Sequence, residues 1–228
     1  MDRSVTEHTP GVYFITSNGD RLLATRNLAP GRRVYGEELV TMDGVEYRLW
    51  NPSRSKLGAA IMVGLKENPI IPRAKVLYLG VASGTTCSHV SDIIGESGHV
   101  WGVDFAPRPV RDLIDSVARY RNNITPILAD ARQPQSYSYL VPRVDVIFAD
   151  VAQPDQAEIV VKNARLFLRR GGYAMLSIKS RSVDVVSEPR AVYAGQVSIL
   201  EESGFKVEQV LELEPFEIDH ALALAKLS

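Results

Sequence analysis

Three aspartates each close an apolar run in this 228-residue chain: Asp104 in "HVWGVDF", Asp130 in "ITPILAD" and Asp150 in "RVDVIFADV". A carboxylate at a strand end can accept hydrogen bonds from both hydroxyls of a ribose, the role that fits Asp104, or from an adenine amino group, the role that fits Asp130. Upstream, "VLYLGVASGTT" runs from Val76 to Thr86 and reads as a buried strand breaking into a loop, with a hydroxyl pair at a helix start. Gly80 and Gly84 stand where a side chain would block either the turn or a ligand. The loop is neither the dinucleotide fingerprint G-x-G-x-x-G nor a Walker loop, since no Gly-Lys-Ser/Thr follows. Taken alone it could be a tight turn with no ligand. The three acids alter that balance, because so much negative charge would repel the pyrophosphate of NAD yet suits an adenosine carrying a cationic sulfonium. S-adenosylmethionine is therefore the expected cofactor.

The elements that must position these residues follow from the periodicity. Beyond about residue 56, apolar strands alternate with amphipathic helices: "KVLYLGV", "TTCSHVSDIIGE", "HVWGVDF", "PRPVRDLIDSVARY", "ITPILAD", "RVDVIFADV", "QAEIVVKNARLFLRR" and "GGYAMLSIK". Four or five βα units in succession imply a parallel sheet covered by helices on both faces. Before them, "SKLGAAIMVGLKE" has helical spacing, with Ser55 available as an N-cap. At the other end, "KVEQVLELEPF" and "HALALAKL" are joined too tightly for a crossover helix, so the final pair should be antiparallel. Residues 11 to 50 carry short β-type runs, "GVYFIT", "RLLATR" and "VEYRLW", punctuated by "SNGD", "LAPG" and "MDG". The expected fold is α/β, a Rossmann-like class I methyltransferase with a mostly parallel seven-stranded sheet and an antiparallel last strand. A small β-sheet domain over residues 1–52 precedes the methyltransferase domain over 53–228.

Composition narrows the classes. No apolar run approaches the roughly 20 residues of a membrane helix, and "MDRSVTEHTP" lacks the regions of a signal peptide, so a cytoplasmic location is expected. Cys87 is the single cysteine, which rules out an intrachain disulfide. It reads as a small buried hydrophobe. No Cys/His zinc framework is visible, His8, His89 and His99 have no ligand spacing, and no metal is expected. With 26 basic against 27 acidic residues, the chain lacks the positive charge of a protein that grips RNA unaided. Local basic clusters, such as Arg54 with Lys56 and Lys179 with Arg181, can equally be solvated surface.

Taken together, "GVASGTT", "DFAPR", "DVAQPDQ", "NPSRSKLGAAI" and "IKSRSVD" resemble the fibrillarin family of guide-RNA-directed 2'-O-methyltransferases. The similarity spans most of the chain, and "DVAQP" and "RSKLGAAI" are its most specific parts. It implies that the loop of Gly80, Ala82 and Gly84 lies against the cofactor, with Thr85 and Thr86 at the methionine end. Asp104 and Phe105 would hold ribose and adenine, Asp130 and Ala131 the adenine edge, and Asp150, Val151, Ala152 and Gln153 would close the site. Asp104 stands where a longer Glu is common, and Cys87 where an apolar residue is common. The absent glycine- and arginine-rich N-terminal tail makes the chain look archaeal. The resemblance also implies partners: a C/D guide RNA paired with target rRNA or tRNA, a Nop-family scaffold protein and a kink-turn-binding ribosomal-type protein.

Transfer to a ribose 2'-hydroxyl requires in-line attack on the methyl and removal of the hydroxyl proton. Related 2'-O-methyltransferases use a Lys-Asp-Lys set. Here Lys56, Asp150 and Lys179 are expected to converge over the methyl, with Lys179 as base, Asp150 orienting it, and Lys56 holding the hydroxyl and its phosphate. His220, in the last connection, could contact RNA, support Lys179 or be structural. Two other classes compete: a non-catalytic subunit of an RNA-protein particle, and a stand-alone small-molecule methyltransferase or oxidoreductase. Retention of both lysines and the acidic strand ends disfavours the first. The basic "NPSRSK" entrance and the N-terminal sheet disfavour the second.

Overall fold

The alternation in "KVLYL" explains the layering. Val76 and Tyr78 belong to one buried cluster and Leu77 and Leu79 to another, so a near-continuous apolar strand must be covered on both faces. A computed structural model describes residues 3–228; Met1 and Asp2, included in the expected N-terminal domain, lie outside the described residues. In chain order the elements are β1 (Arg3–Thr9), β2 (Val12–Ser17), β3 (Asp20–Arg26), β4 (Leu39–Met42), β5 (Val45–Leu49), α1 (Lys56–Met62), β6 (Lys75–Leu79), α2 (Thr85–Ile94), β7 (His99–Asp104), α3 (Pro107–Ser116) and β8 (Ile124–Leu128). There follow β9 (Val144–Ala149), α4 (Gln156–Phe167), β10 (Leu168–Lys179), α5 (Ser180–Val183), α6 (Pro189–Glu202), β11 (Phe205–Glu212) and β12 (His220–Leu227).

The larger sheet has the order β11-β12-β10-β9-β6-β7-β8. Strands β8, β7, β6, β9 and β10 run parallel, and β12 pairs antiparallel with both β10 and β11. The expected antiparallel final pair is thus present, with the last strand inserted beside β10 rather than at the edge. Leu57, Cys87 and Leu113 cover one face from α1, α2 and α3, while Ala157 and Val192 cover the other from α4 and α6. Several helices stop earlier than their apolar patterns suggest. Helix α4 ends at Phe167, and Leu168 already pairs with Val144 in the sheet.

The smaller sheet, β1-β2-β3-β5-β4, is wholly antiparallel and contains two strands the sequence did not announce, β1 and β4. It does not stand apart. Val12, Phe14, Leu23 and Trp50 join the same core as α1 and α2. Between them lies a buried charged network. Arg48 on β5 reaches Glu37 at 2.6 Å, Asp92 of α2 at 2.8 Å and the Ser88 hydroxyl at 2.9 Å. Arg121 bonds the other Asp92 oxygen, and Thr25 donates to Asp92 at 2.8 Å. Because Thr25 spends its proton on Asp92, its oxygen is left to accept from His89 Nδ1, while His89 Nε2 faces the Tyr35 hydroxyl, each at 2.8 Å, and the single Tyr35 proton is shared between that nitrogen and the Leu49 carbonyl at 3.1 Å. The His89 imidazole stacks on the Trp50 indole, 4.6 Å between ring centroids. Burial, reinforced by Arg48 and Arg121, drives its pKa well below the usual histidine value.

Candidate active site

The carboxyl ends of β6, β7 and β9 are drawn close by backbone that only glycine permits. Gly80 has φ +76°, and a Cβ there would lie 2.6 Å from the Asp150 carbonyl oxygen. This contact brings the loop after β6 against the end of β9. The result is a cleft of about 360 Å³ lined by Gly80, Ala82, Asp104, Phe105, Ala131, Arg132, Asp150, Val151, Ala152 and Gln153, with Val103 and Ala129 completing it. A volume of that size suits a small cofactor. Nine of the expected cofactor residues therefore share one cleft.

The others do not line it, for identifiable reasons. A Cβ on Gly84 would meet Leu113 at 2.5 Å, so this glycine permits α2 to pack on α3 instead of opening space for a ligand. The Thr86 side chain is buried and donates its hydroxyl to Ser55 at 2.9 Å. Thr85 begins α2 outside the lining, and Asp130 turns its carboxylate back to the Arg132 N–H at 2.8 Å. What α2 offers instead is its first-turn N–H groups, a positive terminus suited to a carboxylate.

Asp104 accepts from the Ala82 N–H and the Ala106 N–H, both at 2.9 Å. Two backbone bonds use half of the roughly four acceptor positions of a carboxylate and leave the others for ribose hydroxyls. Phe105 is 62% exposed, an aromatic face available for stacking. Among the described residues, the Asp150 Oδ1 and Gln153 Oε1 atoms are buried without a hydrogen-bond partner. Lys179 Nζ lies 2.9 Å from that Asp150 oxygen, close enough for an ion pair but off the hydrogen-bonding direction, and donates to the Asp150 carbonyl at 3.1 Å. Acidic acceptors, an aromatic wall and unfilled buried acceptors are the features that a cationic adenosyl cofactor would need.

Lys179 ends β10, where Gln156 at the start of α4 clasps its backbone through two hydrogen bonds at 3.0 and 3.2 Å. Across the antiparallel ladder it faces His220, the first residue of β12. Lys56 opens α1, capped by Ser55, whose side chain accepts from the Gly58 N–H and from Thr86. The structure does not join Lys56 to Asp150 as the three-residue set implies. Its ion-pair partner is Glu217, at 3.4 Å. The expected single cluster resolves into two ion pairs, Lys179–Asp150 and Lys56–Glu217, each roughly one-fifth exposed. Sequence reasoning missed Glu217, Gln156 and the Arg132–Asp155 fork at the cleft rim. Gln156 lies within "DVAQPDQ" and could have been found as the first helical residue after a strand-end acid; Glu217 left no such signal.

No group of three or more His, Cys, Asp or Glu side chains among the described residues is arranged to hold a metal ion. No helix there is long and apolar enough to cross a membrane. A mostly parallel seven-stranded sheet with an antiparallel strand beside its edge, and a cleft across the carboxyl ends of its central strands, define a class I S-adenosylmethionine-dependent methyltransferase fold.

Comparison with known proteins carries this further. The sequence model of the Fibrillarin family matches residues 4–228, and the chain belongs to that family. It is 56% identical over 218 residues to the fibrillarin-like rRNA/tRNA 2'-O-methyltransferase of Thermococcus gammatolerans, covering 95% of this chain and 96% of that protein. The crystal structure of Aeropyrum pernix fibrillarin with natively bound S-adenosyl-L-methionine is 51% identical, with a TM-score of 0.91 over 98% of this chain and 99% of that one. A fibrillarin/Nop5p complex matches at 38% identity and TM-score 0.85, covering 98% and 100%.

Proposed function

We propose that this chain is the catalytic subunit of a C/D-type ribonucleoprotein that 2'-O-methylates rRNA and tRNA, with S-adenosylmethionine as methyl donor. The observation that carries the proposal is the Lys179–Asp150 pair, 2.9 Å apart at the rim of the acidic cleft. When bound, the cofactor supplies an electrophilic methyl group on a sulfonium. Asp104 holds its ribose, Phe105 and Ala131 flank the adenine, and Asp150 to Gln153 close over it. Thr85 and Thr86 meet the methionine carboxylate through the N–H groups of the first turn of α2, since the Thr86 hydroxyl is engaged with Ser55.

As the bond from the 2'-oxygen to the methyl carbon forms and the sulfonium–methyl bond breaks, Lys179 takes up the hydroxyl proton, having first released its own proton to solvent. Asp150 orients the amine, and Lys56 steadies the hydroxyl and its neighbouring phosphate. Residues 1–52 serve as a small β unit clamped onto the methyltransferase domain of residues 53–228, because Val12, Leu23 and Trp50 share that domain's core.

The near-neutral charge of the chain argues that target choice lies outside it. The fibrillarin/Nop5p complex supports a Nop-family scaffold. The family supplies the rest: a guide RNA whose pairing presents one ribose, and a kink-turn-binding protein that organises the guide. The test is transfer of a labelled methyl group from S-adenosylmethionine to RNA, with and without guide and scaffold. We expect a 2'-O-methylated nucleotide in the digest only from the assembled particle. Transfer to small molecules in its place would overturn the proposal.

A further inference from the structure

The two lysines of the site are held differently. Lys179 is fixed by a strand-end acid from the sheet, whereas Lys56 is met by Glu217, which belongs to the connection between β11 and β12. That connection is anchored at several points: the Glu217 N–H donates to the Leu213 carbonyl at 3.2 Å, and Leu213 N–H to the His220 carbonyl at 2.9 Å. Ser180, next to Lys179, sends both its N–H and its hydroxyl to the Asp219 carbonyl, at 3.2 and 3.0 Å. Arg181 closes the arrangement on the Asp219 carboxylate at 2.9 Å. The Glu217 carboxylate is thereby held in fixed relation to the Lys179 end of β10. Its second oxygen lies 4.0 Å from His220 Nδ1. That nitrogen is 2.7 Å from the Ile218 carbonyl, an acceptor only, so a neutral His220 carries its proton on Nδ1 and keeps Nε2 as its acceptor.

From this geometry we infer that Glu217 is a positioning residue for methyl transfer: it pins the Lys56 ammonium in place, so that Lys56 serves as the electrostatic clamp while Lys179 takes the proton. The inference rests on the proposed 2'-O-methyl transfer. Glu217 touches neither cofactor nor hydroxyl and acts through Lys56.

A double-mutant cycle read by single-turnover methyl transfer in the assembled particle tests this. Glu217→Gln should slow transfer about tenfold, the scale of coupling between touching residues, with cofactor affinity unchanged within about twofold. In a Lys56→Gln background the same substitution should cost less than about twofold, because its partner is already gone. Equal losses in both backgrounds would overturn the inference, since a merely structural role does not depend on Lys56. An undiminished rate in Glu217→Gln would also overturn it. Should Glu217→Gln not fold, Glu217→Asp, which keeps the charge on a shorter arm, goes through the same cycle with the same criterion. A wild-type particle without transfer would overturn the proposed function together with this inference, whereas an active wild type with an additive cycle overturns the inference alone.

Discussion

Two charged clusters of similar composition do opposite work. In the network between the small sheet and α2, Arg48, Glu37, Asp92 and Arg121 are almost wholly buried, and each charge meets its counter-charge with added hydrogen bonds, from Thr25 and the Leu28 N–H to Asp92 and from Arg48 to the Ser88 oxygen. At the carboxyl ends of the sheet, Lys179, Asp150, Lys56 and Glu217 remain partly open to water, and Asp150 Oδ1 lacks a directed partner. The difference lies in saturation. A saturated buried network has no capacity left for a ligand and serves to hold two sheets together. An unsaturated, half-open one keeps charge available for the transition state.

Substitutions should separate the two. The largest effect is expected at Lys179: Lys179→Ala should slow single-turnover transfer about 10²- to 10⁴-fold while leaving cofactor affinity within a few fold and the melting temperature nearly unchanged. Near-normal rates would move the base to Lys56. Arg48→Ala should do the reverse. It leaves Glu37 in the interior without a counter-charge and Asp92 with Arg121 as its one cation, and denaturant unfolding should register a loss of about 3–5 kcal/mol. A loss below about 1 kcal/mol would show that the small sheet does not depend on this network.

Asp104→Ala comes next, with at least a tenfold rise in the cofactor dissociation constant by calorimetric titration, about 1.5–3 kcal/mol for each charge-assisted bond at most. Unchanged affinity in a folded variant would remove Asp104 from the site. The smallest effect is a pH dependence. His89 is neutral in the fold with its pKa depressed well below 6.5, so below that value the unfolded chain binds a proton that the folded chain refuses. Stability contributed by this group is therefore complete above about pH 6.5 and declines by about 1.4 kcal/mol per pH unit below it, down to the folded pKa. The Glu37 carboxyl adds to the acid sensitivity at lower pH. Burial raises its pKa, but Arg48 and the Tyr35 and Val34 N–H groups outweigh burial and hold it below 4.5, so its contribution fades as pH falls through that folded value. His89→Gln should flatten the dependence between pH 6.5 and 5.5, and an identical slope in both proteins would contradict the neutral buried ring.

The contrast also explains which parts of the molecule could be read from residues alone. The parallel sheet was legible because β6, β7, β9 and β10 carry near-continuous apolar runs bounded by turn residues, and Asp104 and Asp150 at the ends of β7 and β9 share a cleft as strand direction requires. Strand β1 is mostly exposed and polar, and β4 has only four residues, so neither produces an apolar pattern. The side-chain surroundings of Gly84 and Thr86 are Leu113 and Ser55, neighbours set by tertiary packing 29 and 31 positions away. The same holds for Arg48 with Asp92 and for Lys56 with Glu217. Charges that meet only after folding leave no local signature.

The most direct measurement is guide exchange in the reconstituted particle. With labelled S-adenosylmethionine and a long target RNA, replacing only the antisense segment of the guide should move the 2'-O-methyl group to the newly paired nucleotide, with the protein unchanged and with transfer abolished by Lys179→Ala. Site-specific methylation by the chain alone, at a position indifferent to the guide, would contradict a catalytic subunit whose target is chosen by RNA pairing.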